Sequence, residues 1–290
     1  TLFPYTTLVR SAAFVPNAAH GPRDGGSLTL APCDIGRSAT DSYWCCGPID
    51  GVTCGADSHL VVRDCGAEIE LRGSRLRRGP SYQDAAPDAR RYLARVGAML
   101  RLRSVGRFHL HAAGVVKPNG GAWLLCGESG SGKSTLAYVL ARSGWAVLGD
   151  DGVVVEATAD GVTAHGWREP MRVSIELARC FPELRGRESL ANWMDPRHRT
   201  PVSAPFVRRA RMAGVIVLER GISDRLTPLA PTAALATLIR QSTFLLLTDG
   251  HAQAHLSALQ ALVESVPCYR LRHSEAQLEA FPTTMHTVAA

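Results

Sequence analysis

Gly127-Glu128-Ser129-Gly130-Ser131-Gly132-Lys133-Ser134 has a G-x-x-x-x-G-K-S spacing. Its residue types answer one chemical demand, the grip on a chain of phosphates. The glycines let backbone N–H groups converge on phosphate oxygens with no Cβ in the way. Lys133 has the reach for β- and γ-phosphates, and the Ser134 hydroxyl can ligate Mg²⁺. A helix that starts here adds the partial positive charge of its N-terminus. Gly127 through Thr135 are therefore the expected nucleotide-binding residues.

Asp150 and Asp151 follow sixteen and seventeen residues after Ser134. One carboxylate of such a pair can bind Mg²⁺, and the other can take a proton from an attacking hydroxyl. Adjacent residues on a strand point to opposite faces, so both can serve one site only at a bend. Gly149-Asp150-Asp151-Gly152 is also good turn chemistry, and it is the phosphate loop that tips the reading toward function. His109 and His111 precede the loop on one expected strand, where alternation puts them on the same face. His111 could then bond a phosphate or shuttle a proton. Arg168, Arg172, Arg197, Arg199, Arg208, Arg209 and Arg211 cluster farther on. Most read as a solvated basic face. Arg172 and Arg199, among proline-marked turns, are the candidates to clamp a γ-phosphate or an acidic peptide.

Strands and helices can be read around these residues. Ala122–Cys126 is an apolar run that predicts a buried strand, and Thr135–Arg142 predicts a helix ended by Gly144. Phe108–Val116 predicts a strand, and Lys117–Gly121 is a turn, so a hairpin feeds the loop. Strands are expected at Trp145–Leu148, Val153–Glu156 with Val162–His165, Met212–Leu218 and Cys268–Leu271. Helices are expected at Asp88–Arg103, Pro182–Trp193, Pro231–Ile239 and Ala252–Val263, with a last short one from Ser274 to Leu278. The stretch 166–210 is otherwise irregular. Residues 12–86 predict a small β-rich region bounded by Gly79-Pro80 and Ala86-Pro87. Residues 87–290 predict the phosphate-loop domain. Thr1–Ser11 has no signal-peptide form and is expected to be a non-native or disordered leader.

The bulk numbers are permissive. The chain has 290 residues, 46% of them apolar, and a formal net charge of +6. That charge suits polyanionic ligands and is too mild to imply nucleic acid. No apolar run reaches the ~18 residues of a membrane span. Of the eight cysteines, five fall between Cys33 and Cys65 without C-x-x-C or finger spacing. They read as free thiols of a cytoplasmic protein rather than a zinc site.

His111-Ala112-Ala113-Gly114-Val115, a hairpin, the phosphate loop, Arg142-Ser143-Gly144-Trp145 and Gly149-Asp150-Asp151 together resemble the HPr kinase/phosphorylase family. They resemble most its compact relatives, the HPr-kinase-related serine kinases, some of which phosphorylate lasso-peptide precursors. The resemblance is specific over about residues 90–156. It implies an α/β, phosphoenolpyruvate-carboxykinase-like P-loop kinase fold with a mixed sheet, and it implies ATP and Mg²⁺. By motif position Asp150 resembles the aspartate that takes the serine proton, and Asp151 its neighbour near the metal. His111 resembles the histidine that approaches the transferred phosphate, and Lys133 and Ser134 match the loop lysine and the Mg²⁺-binding serine. Compact members often form homo-oligomers. The glycine-rich Leu-Glu-x-Arg-Gly-Leu-Gly segment of bifunctional members does not follow the paired aspartates here. Val217-Leu218-Glu219-Arg220-Gly221 is superficially similar, lies far downstream and reads as structural. Phosphorylase activity and HPr itself as substrate are therefore not implied.

The leading expectation is a kinase for a serine hydroxyl on a peptide or small protein. A kinase for a small-molecule alcohol needs the same site chemistry. A nucleotide-gated peptide-binding module needs the loop but no base beside the metal.

Overall fold

The computed structural model describes residues 42–46, 49–54, 59–64, 67–72, 75–78, 87–169, 171–174, 181–184, 199–221, 225–245, 247 and 250–274. They divide into two compact units. Those within Thr7–Arg101 and Leu246–Ala252 form one, and those within Leu102–Leu245 and Gln253–Ala290 form the other.

The first unit holds a five-stranded antiparallel meander, β1 (Ser42–Cys46), β2 (Ile49–Cys54), β3 (His59–Asp64), β4 (Ala67–Arg72) and β5 (Arg75–Arg78). Short sequential strands can pair this way because only two to four residues separate each from the next. Helix α1 (Pro87–Arg103) follows and crosses the division between the units. It starts on a proline, whose fixed φ suits a first helical turn. Leu93, Val96, Met99 and Leu100 form its buried stripe. Residues 1–11, Cys33, Cys65 and Cys180 lie outside the described residues, as do the side chains of Cys45, Cys46 and Cys54.

The second unit has an α/β architecture. In chain order it contains β6 (Arg107–Leu110), β7 (Ala113–Val116), β8 (Ala122–Cys126), α2 (Lys133–Arg142), β9 (Ala146–Gly149), β10 (Val153–Thr158) and β11 (Gly161–Gly166). Then come β12 (Met171–Ser174), β13 (Arg199–Val202), β14 (Arg209–Arg220), β15 (Arg225–Pro228), α3 (Pro231–Gln241), α4 (Ala252–Ser265) and β16 (Cys268–His273). Nine strands make one mixed sheet in the order β6-β10-β11-β14-β8-β7-β9, with β16 also paired to β14, and β15 to β16. Strands β12 and β13 pair separately.

Alternation along β8 sorts the core into two layers. Trp123 and Leu125 join a cluster with Leu136, Ala137 and Leu140 of α2, and with Trp145. Ala122, Leu124 and Cys126 join another with Ala234 and Leu238 of α3 and Leu259 and Leu262 of α4. Successive strand residues face opposite ways, so α2 covers one side of the sheet and α3 and α4 the other. Leu136 and Leu140 are fully buried. Burial of each is worth about 1.5–3 kcal/mol and fixes the axis of the helix that begins at the phosphate loop.

The structure differs from expectation in the segment before the loop. Phe108–Val116 is two strands, because β6 pairs with β10 whereas β7 pairs with β8 and β9. The chain changes neighbours at His111, where Ala112 N–H donates to the Leu110 carbonyl at 2.9 Å in a γ-turn. His109 and His111 are therefore not on one continuous strand face. Of the expected helix Pro182–Trp193, Pro182–Leu184 is a single 3-10 turn, and 185–193 lies outside the described residues. The expected short helix from Ser274 to Leu278 lies outside them past Ser274.

Candidate active site

Strand direction gathers the chemistry at one edge of the sheet. Strand β7 is antiparallel to both β8 and β9, so β8 and β9 are parallel. Strand β14 is parallel to β8, and β16 to β14. The carboxyl ends of β8, β9, β14 and β16 therefore lie at the same edge as the amino end of β7. That edge carries the phosphate loop, Asp150 and Asp151, Arg220, His273 and His111. Carboxyl strand ends are where α/β sheets bind ligands.

The loop runs from β8 into α2. Gly132 caps the helix with φ +93°, a conformation that L side chains rarely adopt. No side chain caps the helix and its first turn has no acidic residue, so its N–H groups and positive end are left for an anion. Ser131 N–H donates to the Glu128 carbonyl at 3.1 Å, closing the loop's turn. Glu128, Ser129 and Gly130 are exposed at its tip, whereas Lys133 is buried. The Lys133 ammonium donates to the carbonyls of Gly127 at 2.7 Å and Glu128 at 3.1 Å. Ser134 and Thr135 are half-buried on the first turn of α2. Cys126, immediately before the loop, is fully buried, and that desolvation pushes its thiol up to about 12 against a smaller opposing pull from Lys133. It is a neutral packing residue at any physiological pH.

Asp150 and Asp151 occupy the bend between β9 and β10. The bend separates them in environment: Asp150 is buried, and the Asp151 side chain is 43% exposed. His111 Nδ1 lies 3.1 Å from Asp151 Oδ1 and 3.3 Å from the Asp151 carbonyl oxygen. Both partners are acceptors, so Nδ1 carries the hydrogen. His109, by contrast, is buried under the bend. Its ring stands edge-on to Trp167 with centroids 5.2 Å apart, and its Nδ1 lies 3.4 Å from Thr243 Oγ1. A Cβ on Gly152 would run into His109 Nε2, so this ring requires glycine after the acid pair. Trp167 donates from Nε1 to Glu169 at 2.8 Å and is a packing residue.

The arginines separate. Arg172 lies on β12 and Arg199 on β13, paired through Ser174 and Pro201, but their side chains lie outside the described residues, as does all of Arg197. Arg208, Arg209 and Arg211 are exposed, and Arg168 is stacked over Phe206 at 5.5 Å. Two loop partners escape sequence reading. Arg220 donates from Nε to the Gly130 carbonyl at 2.7 Å, so the segment Val217–Gly221 reaches the loop instead of being only a core strand end. His273 donates from Nε2 to the Ser131 carbonyl at 2.7 Å. Nothing in local spacing points to His273, which is 142 residues from its partner.

The residues present suit a magnesium nucleotide. Mg²⁺ takes one or two carboxylates plus phosphate oxygens and seldom needs a cage of protein ligands. Ser134 and Asp151 are donors of the right hardness. Among the described residues, no group of three or more His, Cys, Asp or Glu side chains could hold a metal ion by itself. No helix among them is long and apolar enough to cross a membrane.

No family model and no curated protein matches the chain. Among solved structures, it is similar to the Hpr(Ser) kinase/phosphatase from Coxiella burnetii. The identity is 11% and the TM-score 0.32, over 62% of this chain and 94% of that one. A likeness at that level assigns no activity.

Proposed function

We propose that the unit carrying the phosphate loop is an ATP- and Mg²⁺-dependent phosphotransferase of the HPr-kinase type, acting on a serine hydroxyl of a peptide or small protein. The observation that carries this reading is the meeting, at one sheet edge, of the phosphate loop and the unequal acid pair, Asp150 buried and Asp151 exposed. A binding module needs only the loop. A buried carboxylate beside it is the feature that transfer to a hydroxyl requires.

The roles follow from the chemistry. The N–H groups from Gly127 to Thr135 and the start of α2 hold the β- and γ-phosphates. Lys133 turns from the loop carbonyls to the transferring phosphoryl oxygens and neutralises charge that develops there. Ser134 and Asp151 are the residues that would hold Mg²⁺, which would supply neutralisation of the phosphate charge. Asp150 takes the proton of the acceptor hydroxyl. His111 acts through Asp151: its Nδ1–H fixes one carboxylate oxygen and leaves the other for the metal. This differs from the role that the family resemblance implies for it. Phosphoryl transfer is mostly positioning and electrostatics, so these groups suffice.

The test is incubation with γ-labelled ATP, Mg²⁺ and serine peptides, HPr or small alcohols, read by mass spectrometry. Wild-type protein is expected to label a peptide or protein serine. Asp150→Asn is expected to lose about 10²–10⁴-fold in rate, the usual worth of a general base, while its nucleotide affinity stays within about threefold. Equal transfer by the variant would remove Asp150 from the chemistry. Labelling of an alcohol alone would move the acceptor class to small molecules.

A further inference from the structure

His273 has no part in the chemistry just described, yet it is buried and bonded to the loop. Resting on the phosphotransferase reading, we propose that His273 is a positioning residue, which holds the Ser131–Gly132 peptide so that its N–H faces the nucleotide phosphates.

Three observations converge. First, His273 is 5% exposed at the carboxyl end of β16, and its Nε2–H donates to the Ser131 carbonyl at 2.7 Å. A peptide is planar and trans, so its C=O and N–H point in opposite directions. With the carbonyl tied down toward His273, the Gly132 N–H is turned away from it. A loop grips an anion only when its N–H groups, and not its carbonyls, face the ligand. Second, the ring lies against Gly132 itself. A Cβ there would sit 2.8 Å from His273 Cε1 and 3.0 Å from Nε2. The ring is therefore a floor under the same peptide, in addition to the positive φ that already favours glycine. Third, His273 Nδ1 is buried with no hydrogen-bond partner among the described residues. An imidazole tied at one end only is a costly way to fill space that an apolar side chain could fill. What the ring supplies, and a leucine would not, is the single bond to the loop.

The neighbouring contacts fit the same function. Gly221 N–H donates to the His273 carbonyl at 3.0 Å, which anchors the end of β16 to the end of β14. Arg220, at that end of β14, holds the Gly130 carbonyl. Lys133 also holds loop carbonyls, but it must release them to meet phosphate. His273 is buried, has no such second task, and keeps its carbonyl throughout.

The test uses the full chain with His273→Gln, His273→Asn and His273→Leu. MgATP and MgADP affinity is measured by calorimetry, and unfolding midpoints without nucleotide are recorded beside it. A glutamine amide reaches about as far as Nε2, whereas an asparagine amide does not. Asparagine and leucine are expected to weaken nucleotide binding about tenfold, the equivalent of ~1.4 kcal/mol and of one hydrogen bond. Glutamine is expected to stay within about threefold of wild type. In turnover, the KM for ATP should rise in the asparagine variant while the KM for the acceptor is unchanged. If leucine does not fold, the comparison of glutamine with asparagine decides. Wild-type affinity in His273→Asn overturns the inference and leaves the phosphotransferase reading standing. Equal loss in glutamine and asparagine, tracking their midpoints, reduces His273 to a structural role and also overturns it. Failure of the wild-type protein to bind either nucleotide overturns both.

Discussion

At the scale of single residues, the acid pair shows how one bend makes two aspartates unequal. Asp150 is buried, while Asp151 is half-open to solvent and tied to His111 through Nδ1. If His111 orients Asp151 for a metal, the shape of its donor matters more than its charge. His111→Asn places an amide N–H near the position of Nδ1, and His111→Ala places nothing there. The alanine variant is expected to lose about tenfold in transfer rate at limiting Mg²⁺ and to recover as Mg²⁺ is raised, with the asparagine variant close to wild type. Magnesium titrations of initial rate would show it. Identical magnesium dependence in all three proteins would detach His111 from the metal.

At the scale of elements, the β6–β10–β11 end of the sheet is tied by charge as well as backbone. Glu156 on β10 meets Arg107 of β6 at 3.1 Å and His165 of β11 at 2.7 Å. Partial burial pushes its carboxyl up, but hydrogen bonds and attraction from Arg107 and His165 outweigh that and hold it below its ordinary value. A carboxylate whose folded pKa is depressed contributes stability that is complete above its unfolded pKa, ~4.3 for glutamate. That contribution is lost as pH falls through the lower folded value. Glu156→Gln is therefore expected to be less stable than wild type at pH 7, with the gap closing below about pH 4. Urea midpoints measured across that range would test this; a gap independent of pH would mean that Glu156 acts only through shape.

Element boundaries also explain why the segment before the loop misled. Its two ends, Phe108–Leu110 and Val115–Val116, carry strand formers, and the Ala112-Ala113-Gly114 run between them weakens the pattern without marking His111 as a corner. The corner exists because β6 and β7 have different partners, and His111 N–H itself finds the Gln241 carbonyl at 2.8 Å. A strand's partners are set by distant sequence, so periodicity alone cannot locate such a break.

At the scale of the molecule, the loop-bearing unit is a sheet with helices on both faces and the proposed site on one edge. A ligand that binds this unit when folded and not when unfolded must stabilise it. At a hundredfold excess over Kd the gain is ~2.7 kcal/mol, which is several degrees in the unfolding midpoint of a unit this size. MgATP is expected to raise that midpoint, and Lys133→Ala to abolish the rise. A midpoint unmoved by MgATP up to millimolar concentration would argue against nucleotide binding by the loop.

The α/β class, the glycine loop between an apolar strand and a helix, the hairpin before it and the paired acids after it could all be read from residue order alone. Each of these is a local matter: glycine conformations, hydrophobic period and short spacings act between residues close in the chain. Folding was needed to bring His111 to Asp151, to set His109 under Gly152, and to make Arg220 and His273 hold the loop from strands far along the chain. The Arg220 and His273 contacts arise from parallel strands ending at one edge, and the His109 and His111 contacts from antiparallel neighbours that meet them there; that order is set by packing the whole sheet between its helices.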